Sequence, residues 1–435
     1  MASLSTLPHN VRKQIYQELI NLIPSYAWPR YAVISKEMQA VVESFIFASL
    51  HLVTGDLQNF SNCLDSRRQG YLQNVTLLIS LPTYSHLMGQ REEDDEEHSR
   101  SSKTFNQAIS SFLQVLAHWD PEKGPQSGLH LTLNVNSISD ETSTSFHHGQ
   151  RRRPSMTERA RASVMKIDLA GAALPEVRVI TALTCQGRHI ELLSVLTLMS
   201  KLKGLEELDI EFENDTKYDR DVEQRRQFAL GLYHYASDVT ILRLRRPLHI
   251  IKSDKTHARQ SRSLFHSIFR SFTQQCTSLA FDDCVDIKHF LSPFNHGAGN
   301  PSGGPSSKDE WWPHLFRFEV RYSWMIRRPY LRVSTRANAL LQVHEIMLLL
   351  GRAVRCMPML HHLKVRMYIL CEGALQKISL LFDVPDEDGI ARLAITGIEP
   401  TMPAIEAWRK SIRTGRELEL DITVNVRQGD PMDEE

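Results

Sequence analysis

The chain has 435 residues, and its 51 lysines and arginines are balanced by 51 aspartates and glutamates. A chain without net charge creates no overall field that would attract nucleic acid or an anionic membrane surface. The length exceeds what one compact core usually holds, so we expect two or three domains or one elongated array.

The first predicted element is a short helix in the sequence TLPHNVRKQIYQEL, residues 6–19. Pro8 suits the first helical position because an N–H has no intrahelical partner there, and Thr6 or Ser5 can cap the helix. Apolar residues recur at every fourth position: Val11, Ile15 and Leu19. A helix this short cannot bury its own apolar stripe, so it needs a packing partner inside or outside the chain.

Two more short helices are predicted before residue 52. Pro24 and Pro29 each disfavour helix at the preceding residue, and a short helix over 31–34 fits the sequence that follows them. Ser35 can then cap a longer helix. Together these segments predict a three-helix module at residues 1–52, which is below the size at which a core is usually self-sufficient.

The stretches LPHNVRKQIYQEL and YAVISKEMQAVVESFIFASLHL resemble an F-box, in particular the F-box-like N-terminus common among proteins of filamentous fungi. In that family Leu-Pro opens the first helix, and a Ser-Lys-Glu-Trp-Gln-like stretch opens the last. Here His9 and Asn10 stand where an acidic residue is common, and Met38 replaces the usual tryptophan. The positions that correspond to the family pattern are Leu7, Pro8, Val11, Ile15, Leu19, Val33, Ser35, Lys36 and Met38.

The resemblance implies a binding role for this module. F-box helices are completed by a Skp-type adaptor, which links them to a cullin-RING ubiquitin ligase of the SCF type. The nine positions named above would then form the adaptor-binding surface. The alternative is that the same helices cap the domain that follows them.

Beyond residue 52 the chain repeats one pattern, a helical stretch followed by a short apolar run that reads as a strand. In LFRFEVRY, for example, Phe318 and Val320 share one face while Glu319 and Arg321 share the other. The predicted strands cover residues 74–81, 128–135, 164–171, 205–212, 239–246, 277–284, 315–322, 360–367 and 417–424. The predicted helices between them cover residues 104–119, 189–202, 221–236, 261–272 and 338–357.

This alternation implies βαβ crossovers and a parallel sheet. The strands recur at longer and less even intervals than the roughly 20–29 residues of leucine-rich repeats. Runs such as LEELDIEF and TILRLRR nevertheless read like degenerate leucine-rich strands. We therefore expect residues 53–435 to form an irregular leucine-rich-like α/β solenoid, with a compact α/β domain as the alternative.

Three polar segments are expected to be disordered insertions in this region. Residues 89–103 contain six consecutive acidic residues, whose mutual repulsion opposes folding. Residues 139–155 and 295–310 are polar and rich in turn-forming residues. We expect all three to be surface loops.

Residues 311–336 combine tryptophans with arginines, two residue types that are enriched at interface hot spots and that also suit single-stranded nucleic acid. The neutral chain and the lack of a nucleic-acid-binding motif favour protein recognition. An amphipathic strand whose aromatics belong to the core is the alternative. The candidate substrate-binding residues are Trp311, Trp312, Arg321 and Trp324.

Catalytic and metal-binding patterns are absent from the sequence. The stretch VHEIML lacks the second histidine of a zinc protease, and no Gly-x-Ser-x-Gly elbow occurs. The six cysteines form no CxxC pair, the start lacks a signal-peptide pattern, and the most apolar run is far shorter than a membrane span. We therefore expect no metal, cofactor or catalytic residue, and a soluble protein of the cytoplasm or nucleus.

These features predict an F-box-type adaptor that is not itself an enzyme. Residues 1–52 would bind a Skp-type subunit, and residues 53–435 would hold a protein substrate for ubiquitination. The alternative is a ligase-independent repeat scaffold for protein–protein interaction. An enzyme with an α/β fold is a third possibility for which the sequence offers no motif.

Overall fold

The computed structural model divides into two compact units, Met1–Leu205 and Glu206–Glu435. Both mix helices with a mostly parallel sheet, which confirms the predicted α/β class. Within the described residues, no helix is both long and apolar enough to cross a bilayer. The structure describes residues 7–85, 88, 93–120, 122, 124–125, 127–140, 163–167, 174–211, 218–245, 258–295, 312–325, 336–371, 374–385, 390–416 and 418–426.

The first unit begins with three helices, α1 (His9–Leu22), α2 (Trp28–Tyr31) and α3 (Lys36–Ile46), and a 3₁₀ turn over Ser25–Ala27. The second helix lies three residues earlier than the predicted 31–34. Pro8 is the N-cap residue of α1 and not its first helical residue, while the predicted caps Ser5 and Thr6 lie outside the described residues. The side chains that form the shared core of these helices are Ile20, Met38, Val41 and Val42.

The strands of the first unit are β1 (Ser49–Val53), β2 (Asn74–Ser80), β3 (Leu129–Asn136), β4 (Val164–Met165), β5 (Ile180–Gly187) and β6 (His189–Ile190). Strands β1, β2, β3 and β5 form one parallel sheet in that order, and β4 pairs with β6. Strands β2 and β3 bury every second side chain, as their alternating sequences predict. Strands β1, β5 and β6 were not predicted, β6 lies in the predicted helix 189–202, and β4 covers only the first two residues of the predicted strand 164–171.

The helices of the first unit that follow the N-terminal three are α4 (Leu57–Cys63), α5 (Ser66–Gln69), α6 (Asp95–Ala117) and α7 (Leu192–Lys201), with 3₁₀ turns over Thr54–Asp56 and Ile138–Asp140. Helix α6 packs on β2 and on α4, where the ring of Phe60 lies 6.1 Å from that of Phe112. The expected loop at 89–103 is wrong for residues 95–103, which are helical. Of the segment 139–155, residues 141–155 lie outside the described residues, whereas Asp140 is buried.

A buried ionic network links the start of α6 to the sheet of the first unit. Arg188, which is fully buried, donates to Glu93 from Nη1 (2.6 Å) and to Asp140 from Nη2 (2.8 Å) and Nε (2.9 Å). Tyr84 and Ser163 donate further hydrogen bonds to the same carboxylates. Burial alone raises the pKa of Glu93, but hydrogen bonds from His98 and Arg188 lower it to about 2. The acidic run is thus partly interior.

The strands of the second unit are β7 (Glu207–Glu211), β8 (Ile241–Arg245), β9 (Ser278–Asp282), β10 (Arg317–Met325), β11 (His362–Cys371), β12 (Ala374–Asp383), β13 (Ile390–Thr396) and β14 (Glu419–Asn425). They lie in sequence order in the sheet. Strands β7 to β11 are parallel, β12 is antiparallel to both of its neighbours, and β13 and β14 are parallel. Strands β12 and β13 were not predicted.

The helices of the second unit are α8 (Tyr218–Tyr235), α9 (Ala258–Thr273), α10 (Ile287–Phe290), α11 (Arg336–Ala353) and α12 (Met402–Arg416), with 3₁₀ turns over Ser292–Asn295 and Val354–Cys356. Of the expected loop 295–310, only Asn295 is described, and it ends a 3₁₀ turn. Helices α11 and α12 approach closely at Gly351, where an added Cβ would lie 2.6 Å from the Trp408 ring. Trp408 donates from Nε1 to the carbonyl of Met347 (3.1 Å) and packs on Phe382.

Each sheet has one buried face and one face that carries partly exposed side chains, which we call the open face. In the first unit this face carries uncharged side chains, mostly polar: Thr76, Thr132 and the buried Thr184 stand in register, and His130 bonds Thr184 (2.9 Å), while Val53 and Leu78 lie on the same face. In the second unit the open face carries many ionised side chains. Its alternating strands are evident in the burial patterns of β8, β9 and β13.

Candidate functional site

An apolar stripe on α1 faces away from the core of the first unit. Val11, Ile15 and Leu19 are between 36% and 39% exposed, and Leu22 continues the stripe at 83%. Their spacing of three to four residues puts them on one side of the helix, whereas Ile20 lies on the other side and is fully buried. Val11, Ile15 and Leu19 are thus partly covered and Leu22 is mostly exposed, so α1 presents a partly apolar surface to solvent.

Exposed apolar residues also occur in the segments that follow α1. Tyr26 is 83% exposed, Val33 is 85% exposed and Ile34 is 64% exposed. Sequence reasoning assigned Val33 a binding role but gave none to Leu22, Tyr26 or Ile34. A partial signal existed, because Tyr26 and Ile34 lie within a few positions of prolines and a serine cap, which interrupt the regular helices there. We call these seven residues, 11, 15, 19, 22, 26, 33 and 34, the N-terminal apolar surface.

An ion pair holds α1 against the start of α3. Arg12 donates from Nε (2.9 Å) and Nη2 (2.6 Å) to the two oxygens of Glu37, and from Nη1 to the carbonyl of Leu7 (2.7 Å). The hydrogen bonds from Arg12 lower the pKa of Glu37. A two-point contact of this kind fixes orientation as well as distance. It therefore sets the direction in which the stripe of α1 points.

Trp28 braces the same helices from the other end. Its Nε1 donates to the carbonyls of Ile23 (3.0 Å) and Ile20 (3.3 Å), which belong to the last turn of α1 and to the residue after it. Its ring meets Phe45 of α3 edge-on at 5.6 Å. Carbonyls at a helix C-terminus lack intrahelical donors, so an indole N–H there satisfies them.

The structure separates the nine expected adaptor-binding residues into three groups. Val11, Ile15, Leu19 and Val33 are exposed, as are Pro8 and Lys36, and Leu7 is partly exposed. Ser35 serves as the N-cap of α3, where its hydroxyl accepts from the Met38 N–H at 3.1 Å. Met38 itself is 1% exposed and lies in the helix core, which corrects its expected place on a binding surface.

Of the expected substrate-binding residues, Trp312 is a core residue. It is fully buried against Phe290 and Phe294, and its Nε1 donates to the hydroxyl of Thr273 (3.1 Å). This corrects its assignment to a recognition surface and agrees with the core alternative. Trp311 lies outside the described residues, and of Trp324 the structure describes only the position in β10.

Arg321 is the expected substrate-binding residue that does reach the open face. It pairs with Asp282 of the neighbouring strand (3.5 Å), and its guanidinium lies 5.2 Å from the centre of the Tyr368 ring. The strand register sets Arg321 beside Asp282 of β9 and Arg366 of β11. The arginine is thus one member of a charged surface that crosses several strands.

Charged side chains form rows across the open face of the second unit. One row runs through Asp209, Arg243, Glu319 and Lys364, and the next runs through Glu211, Arg245, Asp282, Arg321 and Arg366. Arg243 pairs with Glu207, and Arg245 pairs with Asp209. Burial raises the pKa values of both Glu211 and Asp282, with neighbouring carboxylates adding to the effect.

Other candidate chemistry gives no site. Within the described ranges, no group of three or more histidine, cysteine, aspartate or glutamate side chains is arranged to hold a metal ion. Burial raises the pKa of the Cys276 thiol to about 12, so that this cysteine stays protonated at neutral pH. Comparison of the chain with protein families and with curated proteins finds no match in either.

Proposed function

We propose that the protein is an F-box-type adaptor that recruits a protein substrate to a cullin-RING ubiquitin ligase. The observation that carries the proposal is the N-terminal apolar surface, which lies on helices whose sequence resembles an F-box. Large exposed apolar patches on a folded protein are typical of partner interfaces. A Skp-type adaptor that supplies helices to this surface would bury it.

The exposure of the stripe supports binding over capping. If the helices only capped the rest of the first unit, their apolar residues would pack against it. Instead Leu22 and Val33 are more than four-fifths exposed, while Ile20 and Val42 already fill the core between α1 and α3. One apolar face of the module therefore packs in its own core, and a second apolar face is left for a partner.

The strand order supports the proposed solenoid for the remainder of the chain. Apart from β4 and β6, which pair with each other, the strands of each unit lie side by side in sequence order, which is the order that repeated right-handed crossovers of one direction produce. A doubly wound α/β domain, the compact alternative, reverses its strand order at a switch point. Strand β12, antiparallel to both neighbours, departs from a regular leucine-rich-like repeat.

In this proposal the protein contributes positioning and no chemistry of its own. The adaptor-bound module would tether the chain to the ligase, and the sheets would hold the substrate near the ubiquitin-conjugating enzyme. Tethering makes the transfer effectively intramolecular and raises the local concentration of substrate. Catalysis would belong to the other subunits.

Co-purification with a Skp-type adaptor tests the proposal. The full chain and the variant Ile15→Asp/Leu22→Asp are compared for adaptor binding, with Leu341→Asp as the matched control because Leu341 is also an exposed leucine on a helix, in the second unit. A buried interface anchor contributes about 2 kcal/mol or more, so the double variant should lose adaptor binding by more than about thirtyfold.

Two results would contradict the proposal. One is a full-length chain that binds no Skp-type adaptor, which favours the ligase-independent scaffold. The other is a double variant that binds the adaptor as tightly as the unmodified chain does. Thermal unfolding of all three proteins is measured alongside, because a variant that loses its folding transition would identify the stripe as internal packing.

A further inference from the structure

The open face of β10, β11 and β12 carries more cations than carboxylates. Its described ionised side chains are Arg317, Arg321, Lys364, Arg366 and Lys377 against Glu319 and Asp383. Arg317 pairs with Glu319, and His362 bonds Asp383 at 2.6 Å. Lys364, Arg366 and Lys377 form no ion pair or hydrogen bond through their side chains with any described residue. We call these three residues the cation row.

Two arginines of this face stand directly opposite each other. Arg321 and Arg366 are register partners on the parallel strands β10 and β11. Arg321 has Asp282 and the Tyr368 ring as partners, whereas Arg366 is exposed beside it. Like charges placed opposite each other on a sheet are destabilising. An anion that bound Arg366 would remove this repulsion, so the arrangement favours a negatively charged ligand.

The spacing of the cation row indicates the shape of that ligand. Lys364 and Arg366 are two residues apart on β11, and Lys377 of β12 is the register partner of Tyr368, two residues further along. Alternate residues of a strand lie about 6.6 Å apart. Along the strand direction the three cations are evenly spaced, and Lys377 lies one strand to the side, so an extended peptide that crosses from β11 to β12 could bring alternate side chains to them.

We propose that the cation row binds an extended acidic segment of a partner protein, with Asp or Glu side chains at alternate positions. The inference rests on the proposed function in identifying that partner as the substrate to be ubiquitinated. Each carboxylate would meet one cation, and the half-exposed Leu381, the register partner of Lys364, offers apolar contact beside them. The ligand would lie over the sheet and add no strand to it.

The neighbouring charges favour an acidic peptide over a nucleic acid. Glu319 and Asp383 flank the cation row. On the strands towards β7, Asp282 and Glu211 stand in the same cross-strand register as Arg366. A nucleic acid, which carries a charge on every phosphate, would also be repelled by these carboxylates, whereas a peptide can place its few acidic residues opposite the cations alone. The Tyr368 ring, which could stack on a base, is already partnered by the guanidinium of Arg321.

Fluorescence anisotropy with the full chain and labelled peptides tests the inference. The probe is a peptide of alternating glutamate and serine, compared with a peptide in which the same residues are grouped in two blocks and with a glutamine–serine peptide. We expect the alternating peptide to bind most tightly and the glutamine peptide not to bind. Added salt should weaken binding, because exposed ion pairs are screened.

The variant Lys364→Gln/Arg366→Gln/Lys377→Gln should bind the alternating peptide about tenfold or more weakly, since each exposed contact contributes modestly. Its thermal midpoint should stay the same or rise, because the substitution removes cation repulsion. The matched control is Arg409→Gln, an exposed arginine on α12 of the same unit, which should bind normally.

Equal binding of the glutamine peptide, or of the triple variant, would overturn the inference, as would tighter binding of a single-stranded oligothymidylate. Equal binding of the block peptide would overturn the proposed spacing. The assay contains no adaptor protein, so its outcome is independent of adaptor binding. A chain that binds the Skp-type adaptor but not the peptide would refute this inference and leave the proposed function intact.

Discussion

In the first unit the charged groups Arg188, Glu93 and Asp140 lie inside the structure, and the open face of the sheet carries threonine, histidine and asparagine. In the second unit the open face itself carries the charges, in rows that cross five strands. The strands of both units are mostly parallel, but the open faces differ in what they present to solvent. A buried ion pair holds a loop and a helix in place, whereas an exposed charge remains available to a partner.

The largest difference should appear when one arginine is removed from each unit. Arg188→Ala removes the guanidinium from two buried carboxylates, which we expect to cost about 3–5 kcal/mol of unfolding free energy. Arg243→Ala, the matched control, breaks a half-exposed pair with Glu207 and should cost less than about 1 kcal/mol. Denaturant unfolding measures both values. Similar losses of unfolding free energy in the two variants would show that the buried arginine contributes no more to stability than the half-exposed one.

The second prediction concerns acid stability. The pKa of Glu93 is about 2 in the folded protein against an ordinary value of 4.5, so its ionised form stabilises the fold. That contribution is complete above pH 4.5 and disappears as the pH falls from 4.5 towards 2. It amounts to something on the order of 3 kcal/mol.

Denaturant unfolding at pH 7 and at pH 3 measures this effect in the unmodified chain and in Glu93→Gln. The variant is less stable at neutral pH, because its amide cannot pair with Arg188 as a carboxylate does, but its stability should fall less on acidification. If both proteins lose the same free energy between the two pH values, Glu93 is not responsible for the acid sensitivity.

The smallest predicted effect concerns the start of α6. Asp94 accepts from the Glu97 N–H (2.9 Å), and the Glu97 carboxylate accepts from the Asp94 N–H (3.1 Å), so the two residues form a capping box. Asp94→Ala should lower the unfolding free energy by about 1 kcal/mol. Glu96→Ala, at an exposed neighbouring position, should leave it almost unchanged. If Asp94→Ala left the unfolding free energy unchanged, the result would favour a solvated loop over a capped helix start.

The acidic run of residues 92–97 was expected to be a loop because of charge repulsion, although part of it starts a helix. Six consecutive acids repel each other, yet acids in the first turn of a helix are stabilised by its dipole. The Asp94–Glu97 spacing was a visible capping signal. Nothing local indicates that Glu93 pairs with Arg188, which is 95 positions away in the sequence. The helix start was therefore predictable, but the burial of Glu93 was not.

Strands were predictable where only one face is buried. Strand β3 alternates strictly, whereas β5 buries three consecutive residues, Ala182, Leu183 and Thr184, and so lacks a period of two. Strands β12 and β13 do alternate, but they follow β11 without a helix between β11 and β12. The assumption of strict helix–strand alternation concealed them.

The sequence predicts the candidate site only as far as it predicts the apolar stripe of α1. The stripe of α1 follows from its spacing, but the sequence alone does not tell which apolar residues the chain covers itself. This explains why Met38 and Trp312 were expected at binding surfaces although both are core residues. The Arg12–Glu37 contact joins residues 25 positions apart and carries no periodic signal.

The contact between Gly351 and Trp408 has a consequence for biosynthesis. The ribosome makes α11 and β12 before α12, so the surface over Gly351 and Phe382 stays exposed to water until the indole arrives. Products of premature termination before Trp408 would keep this apolar surface open. We expect chaperones to bind such products and proteases to degrade them, whereas the complete second unit should be neither bound nor degraded.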